Sequence, residues 1–153
     1  MKDIVKLNDG ITIGPQPTAE ELPQLQELGF KSIVNFRTEG EDEQPLSPQA
    51  EGDEVERLGL DYFHAPISMK VITPITVDQF RMELANLPKP VYVHCKAGRR
   101  AALMAMMHIA SEAREDGEKA LRVVEEMGFK PEKATTEKFF IDYVDRHSKT
   151  VPR

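Results

Sequence analysis

At 153 residues the chain has the size of one domain with a full core, and residues 1–153 are read as a single α/β domain. With 26 Asp plus Glu against 20 Lys plus Arg, the net charge of -6 argues against a nucleic-acid or acidic-membrane surface, so an anionic ligand must be met locally. The opening MKDIVKLNDG lacks a signal peptide's apolar core, no apolar run approaches the roughly 18 residues of a membrane span, and the single cysteine has no disulfide or zinc partner, so the expectation is a soluble, cytoplasmic protein without cofactor or metal.

In chain order, the Ile-Thr-Ile of residues 11–13 predicts a short strand. Thr18 and Glu21 then have capping-box spacing ahead of Leu22, Leu25 and Leu28, which predicts a helix on an apolar stripe stopping at Gly29. A strand over 32–37 leads to an exposed loop over 38–48, whose acidic run at 39–43 reads as a solvated surface or a gate against highly anionic substrates. A short helix over 49–58 and a strand over 60–67 follow, then a loop over 68–74 that crosses the sheet edge. Thr76 and Gln79 repeat the capping-box spacing, and Val77, Phe80, Leu84 and Leu87 form the stripe of another amphipathic helix. The apolar, β-branched run at 91–93 suits a central parallel strand, and residues 101–110 are apolar around nearly the whole circumference of a buried helix. Helices over 118–127 and 136–146 close the chain. Strands alternating with helices predict a mainly parallel sheet of four to five strands covered on both faces.

In such folds ligands bind where strands end and helices begin, and Cys95 lies at that junction. The turn Cys95-Lys96-Ala97-Gly98-Arg99-Arg100 can direct successive backbone N–H groups inward, with the positive end of the following helix dipole behind them. That field favours a thiolate over a thiol. Gly98 permits a tight turn, and Arg100 can offer a planar fork to two oxygens of phosphate or sulfate. Cations at a helix N-terminus oppose the dipole, so Arg99 and Arg100 imply a counter-anion. The alternative is an inert Cys95 in the core with two solvated arginines.

His94-Cys95-Lys96-Ala97-Gly98-Arg99-Arg100 resembles the His-Cys-x-x-Gly-x-x-Arg signature of cysteine-dependent protein phosphatases, shortened by one residue. The shorter loop resembles a bacterial branch, the beta-lactamase-hydrolase-like, protein-phosphatase-like domains. So do Ile13-Gly14-Pro15-Gln16-Pro17-Thr18, Asn35-Phe36-Arg37 and Asp61-Tyr62-Phe63-His64-Ala65-Pro66. The resemblance implies the phosphatase fold, Cys95 as nucleophile, Arg100 as the phosphate-binding arginine, and a supporting His94. Lys96, Ala97, Gly98 and Arg99 would complete the oxyanion loop, and Arg37 at a strand end is a further candidate for substrate binding, with a surface salt bridge as the alternative. The expected partner is a small-molecule or phosphoprotein substrate, with phosphate or sulfate in the 95–100 loop.

Phosphatases of this type take a proton from an Asp on the loop after the preceding strand, and here that loop, Ser68-Met69-Lys70-Val71, has no carboxylate. Asp61 is expected at the opposite strand end, Asp78 on the next helix, His64 as a packed or surface histidine, and His108 as a core histidine. Three functions stay open: hydrolysis of phosphotyrosine-like or small aryl phosphates through a cysteinyl-phosphate, rhodanese-like sulfur transfer through a Cys95 persulfide, and non-catalytic binding of an oxyanion or phosphopeptide.

Overall fold

The computed structural model describes residues 1–148 of the chain. Its strands are β1 (Val5–Lys6), β2 (Ile11–Gly14), β3 (Ser32–Asn35), β4 (Asp61–His64) and β5 (Val91–His94). Its helices are α1 (Glu21–Glu27), α2 (Pro48–Arg57), α3 (Pro74–Asn86), α4 (Arg99–Glu112), α5 (Gly117–Glu126) and α6 (Ala134–Ser148). The strands form one sheet in the order β1-β2-β5-β3-β4, parallel throughout except for β1, which pairs antiparallel with β2. This is the expected mainly parallel α/β fold.

Successive side chains of a strand point to opposite faces, and this sorts the core into two clusters. Ile33 and Tyr92 pack with Leu22 and Leu25 of α1 and Val55 of α2. Val34, Val91 and Val93 pack on the other face with α3, α4, α5 and α6, where Phe80, Leu103, Met104, Leu121, Phe140 and Val144 are buried. Both faces of β5 are therefore covered, as its unbroken apolar run requires.

Several boundaries differ from expectation for local reasons. Strand β3 ends at Asn35, but Phe36 N still donates to His94 O at 2.9 Å and Ile67 N to Phe36 O at 3.0 Å, so pairing continues irregularly over the residues read as strand. Helix α3 begins one turn early: Thr73, not Thr76, is the cap, with Thr76 N donating to Thr73 Oγ1 at 3.3 Å and Pro74 in the first turn. The capping box at Thr18 and Glu21 forms with reciprocal bonds of 3.0 and 3.1 Å, yet the helix stops before Leu28, which is exposed rather than part of the stripe. Among the described residues no helix is long and apolar enough to cross a membrane.

Candidate active site

Cys95 follows the central strand β5, and three residues later Gly98 caps α4 with φ 110° and ψ -16°. That left-handed conformation strains any side-chain-bearing residue, and a Cβ on Gly98 would lie 2.9 Å from Phe129 Cε1. The sharp reversal turns the loop onto the thiol: Gly98 N donates to Cys95 Sγ at 3.1 Å and Ala101 N approaches it at 3.5 Å. Ala101 belongs to the first helical turn, whose N–H groups have no intrahelical acceptor. Cys95 is buried at the floor of a cavity of about 480 Å³ that Lys96, Ala97, Arg99 and Arg100 also line.

Each cation of the loop has a glutamate partner. Arg100 pairs end-on with Glu41, Nη1 to Oε2 at 2.8 Å and Nη2 to Oε1 at 2.9 Å, while Nη1 also donates to Ile67 O at 3.2 Å. Lys96 Nζ lies 3.0 Å from Glu43 Oε1, and Arg99 Nη1 lies 3.4 Å from Glu132 Oε1. The counter-anions that Arg99 and Arg100 demanded are thus partly supplied from within the chain. The Arg100 guanidinium, with Thr38 and Arg37 behind it, holds the Glu41 carboxyl far below the usual carboxylate range. In turn Glu41, and more weakly the nearby Cys95, raise Arg100 above its ordinary value.

The acidic run at 39–43 is therefore not simply a solvated surface, because Glu41 reaches into the pocket. Arg37 also differs from expectation. It does not line the pocket: its side chain is 0% exposed and donates to Glu41 Oε1, Gln16 Oε1, Glu43 O and Asp42 O at 2.5–3.1 Å. The reason is strand parity. Phe36 and Cys95 belong to the cluster around α4, whereas Ile33 and Tyr92 face α1 and α2, and positions 35, 37 and 94 continue their alternation.

His94 is consequently buried behind the loop rather than inside the pocket. Its Nε2 lies 2.6 Å from Glu51 Oε2, both side chains being fully buried, and its Nδ1 lies 3.2 Å from Cys95 O. Glu51 was missed in the sequence, although it occupies an inward position of α2 with Pro48, Gly52 and Val55, spaced three, four and seven apart. An acidic residue in phase with an apolar stripe is the signal that can reveal such a group. Other polar candidates have structural partners: His64 Nε2 donates to Arg37 O at 2.6 Å, Arg81 Nε donates to His108 Nδ1 at 3.2 Å, and Asp78 accepts from Tyr143 Oη at 2.6 Å. Burial lowers His108 and favours its neutral ring, in keeping with its expected packing role. Asp61 is exposed at the start of β4, at the sheet end opposite Cys95.

Residues 3–112 match the model of the beta-lactamase hydrolase-like protein, phosphatase-like domain. The chain is 34% identical over 110 residues to the beta-lactamase hydrolase-like protein of Agrobacterium fabrum, covering 72% of this chain and 26% of that protein, so it spans about a quarter of that relative. Its fold resembles that of a protein named as a candidate phosphatase from Neisseria meningitidis Z2491, with a TM-score of 0.75, 25% identity and coverage of 92% and 97% of the two chains. It also resembles P. aeruginosa TpbA in a complex with pTyr, with a TM-score of 0.74 at 18% identity over 97% of this chain and 91% of that one. With a five-stranded α/β sheet and a short cysteine loop at the head of its buried helix, this chain belongs to the family of beta-lactamase hydrolase-like, phosphatase-like domains.

Proposed function

We propose that the protein is a cysteine-dependent phosphoric monoester hydrolase of the protein-tyrosine-phosphatase type, acting on phosphotyrosine-like or small aryl phosphates. The observation that carries this reading is Cys95 Sγ at the pocket floor, with two backbone N–H groups aimed at it and Arg100 beside it. A thiolate held there attacks phosphorus in line. The S–P bond forms, the P–O bond breaks, and its electron pair leaves on the aryl oxygen. Water then cleaves the cysteinyl-phosphate, releasing phosphate and restoring the thiolate, while loop N–H groups and the Arg100 guanidinium bind the equatorial oxygens. That TpbA, a protein of similar fold, forms a complex with pTyr supports a phosphomonoester as ligand here.

Leaving-group chemistry limits the substrate. Both carboxylates that line the pocket among the described residues are ion-paired, Glu41 with Arg100 and Glu132 with Arg99. Hydrolysis without an acid needs a leaving oxygen stable as an anion, so across a series of aryl phosphates kcat should rise steeply as leaving-group pKa falls. Cys95→Ser should abolish turnover but retain phosphate affinity, and Asp61→Asn should change neither. The same ion pairing favours sulfur transfer as the second reading. There Cys95 attacks the outer sulfur of thiosulfate and expels sulfite, which needs no proton. Stoichiometric persulfide on Cys95 after thiosulfate treatment, without aryl phosphatase activity, would overturn the phosphatase in favour of the sulfurtransferase. Oxyanion binding with neither activity would leave the binding module.

A further inference from the structure

Gln16 follows β2 and does not line the pocket, yet it touches the supports of both ends of the Cys95 loop. Its backbone N donates to Lys96 O at 3.1 Å. Its side-chain Nε2 donates to Glu51 Oε1 at 2.7 Å and Pro17 O at 3.0 Å, and its Oε1 accepts from Arg37 Nη1 at 3.1 Å. On the Glu51 side the path continues through His94 to Cys95 O. A carbonyl oxygen can only accept, so in the contact with Cys95 O the His94 Nδ1 is the donor. On the Arg37 side, Nε donates to Glu41 Oε1 at 3.0 Å, and Glu41 grips Arg100.

An unbroken hydrogen-bonded path thus runs from the backbone of the nucleophile, behind the loop, to the guanidinium at the far end of the loop. Its middle link must donate to a carboxylate and accept from a guanidinium at once. A primary amide does both. A carboxylate there would face Glu51 with like charge, and an aliphatic side chain would leave one buried donor and one buried acceptor without partners.

We propose that Gln16 is a positioning residue that holds the Cys95 backbone and the Arg100 guanidinium in one register, so that nucleophile and oxyanion clamp are ordered together. The proposal rests on the reading that an oxyanion occupies the 95–100 loop, whichever covalent chemistry follows. Vanadate is therefore the probe, and its affinity is measured beside aryl phosphatase kinetics and thermal unfolding of the full chain.

At temperatures well below melting, Gln16→Leu should weaken vanadate binding and lower kcat by about tenfold each, the scale of coupling carried by such networks. The combined loss in Gln16→Leu with Glu41→Gln should be smaller than the product of the single losses, because both variants cut one path. The far-downfield imidazole proton expected of the His94–Glu51 contact should weaken in the Gln16 variant. A folded Gln16→Leu protein with vanadate affinity and kcat within about twofold of the parent, smaller than the network coupling scale, would overturn the proposal. If that variant fails to fold, the parent protein decides. Vanadate should shift the side-chain amide protons of Gln16 and the ring protons of His94, both behind the loop, and no shift would overturn the idea. A parent that binds vanadate but hydrolyses no aryl phosphate refutes the phosphatase reading alone, while the vanadate measurements still test Gln16.

Discussion

Arg100, the clamp of the proposed phosphatase, is held by a structural partner while keeping a fork to offer a ligand. A guanidinium has five N–H groups. Nη1 donates to Glu41 Oε2 and to the Ile67 and, at 3.4 Å, the Phe36 carbonyls, Nη2 gives one N–H to Glu41 Oε1, and the guanidinium also contacts Cys95; its Nε–H and second Nη2–H form a planar edge suited to two oxygens of a ligand. Glu41 therefore fixes the plane in which that edge is presented. Lysine keeps the charge but has neither fork, so Arg100→Lys should keep the fold by circular dichroism and lower kcat/KM for aryl phosphate by about 10²-fold, the scale seen for one lost oxyanion donor. A loss below about threefold would mean that charge, not the fork, serves the phosphate. Arg100 was legible in the sequence because the loop spacing fixes its place. Glu41 was not, because 59 residues separate it from Arg100 and its neighbours read as a polar loop.

At the scale of elements, all six helices were expected, α1 and α3 from their apolar stripes and α4 from its all-round apolarity, while capping chemistry set the ends. The start of α3 was misplaced because Thr73 and Thr76 both suit an N-cap, and Pro74, which fits only the first turn after Thr73, decides between them. Strand β1 was missed because its two residues are too short to show an alternation. The β5–α4 turn was legible because each part has a distinct chemical requirement: an apolar central strand, a thiol, a glycine and a buried helix. Its glycine gives a direct test. Gly98→Ala adds a methyl group 2.9 Å from Phe129 Cε1 at φ 110°. We expect a loss of about 1–2 kcal/mol from the left-handed backbone alone, seen as a lower midpoint in urea unfolding. Phosphate should shield Cys95 from alkylation in the parent and fail to do so in this variant, since the N–H of residue 98 is turned off Sγ. An unchanged midpoint with full protection would show that the turn tolerates a side chain.

Across the whole molecule, the parallel sheet places Asn35 beside both His94 and His64, so the C-terminal ends of β2, β3, β4 and β5 assemble one edge from segments distant in sequence. Residue types and loop spacing could propose Cys95 as the nucleophile, but not the pairings across that edge. Glu51 meets His94 over 43 residues and Gln16 meets Glu51 over 35, and no local pattern carries such separations. The net charge of -6 likewise concealed a basic loop whose cations are individually matched by glutamates. Of these glutamates, Glu41 links the loop to global stability. Its carboxyl is held far below its ordinary value of 4.5, chiefly by Arg100, so it favours the folded state above that value and loses this contribution as pH falls through the range beneath it. Glu41→Gln removes the titrating group. The variant should be less stable than the parent at pH 7, and the difference between their urea midpoints should shrink steadily as pH falls below 4.5, because only the unfolded parent gains a proton there. Curves that stay parallel from pH 7 to well below 4.5 would show that Glu41 binds Arg100 without stabilising the fold.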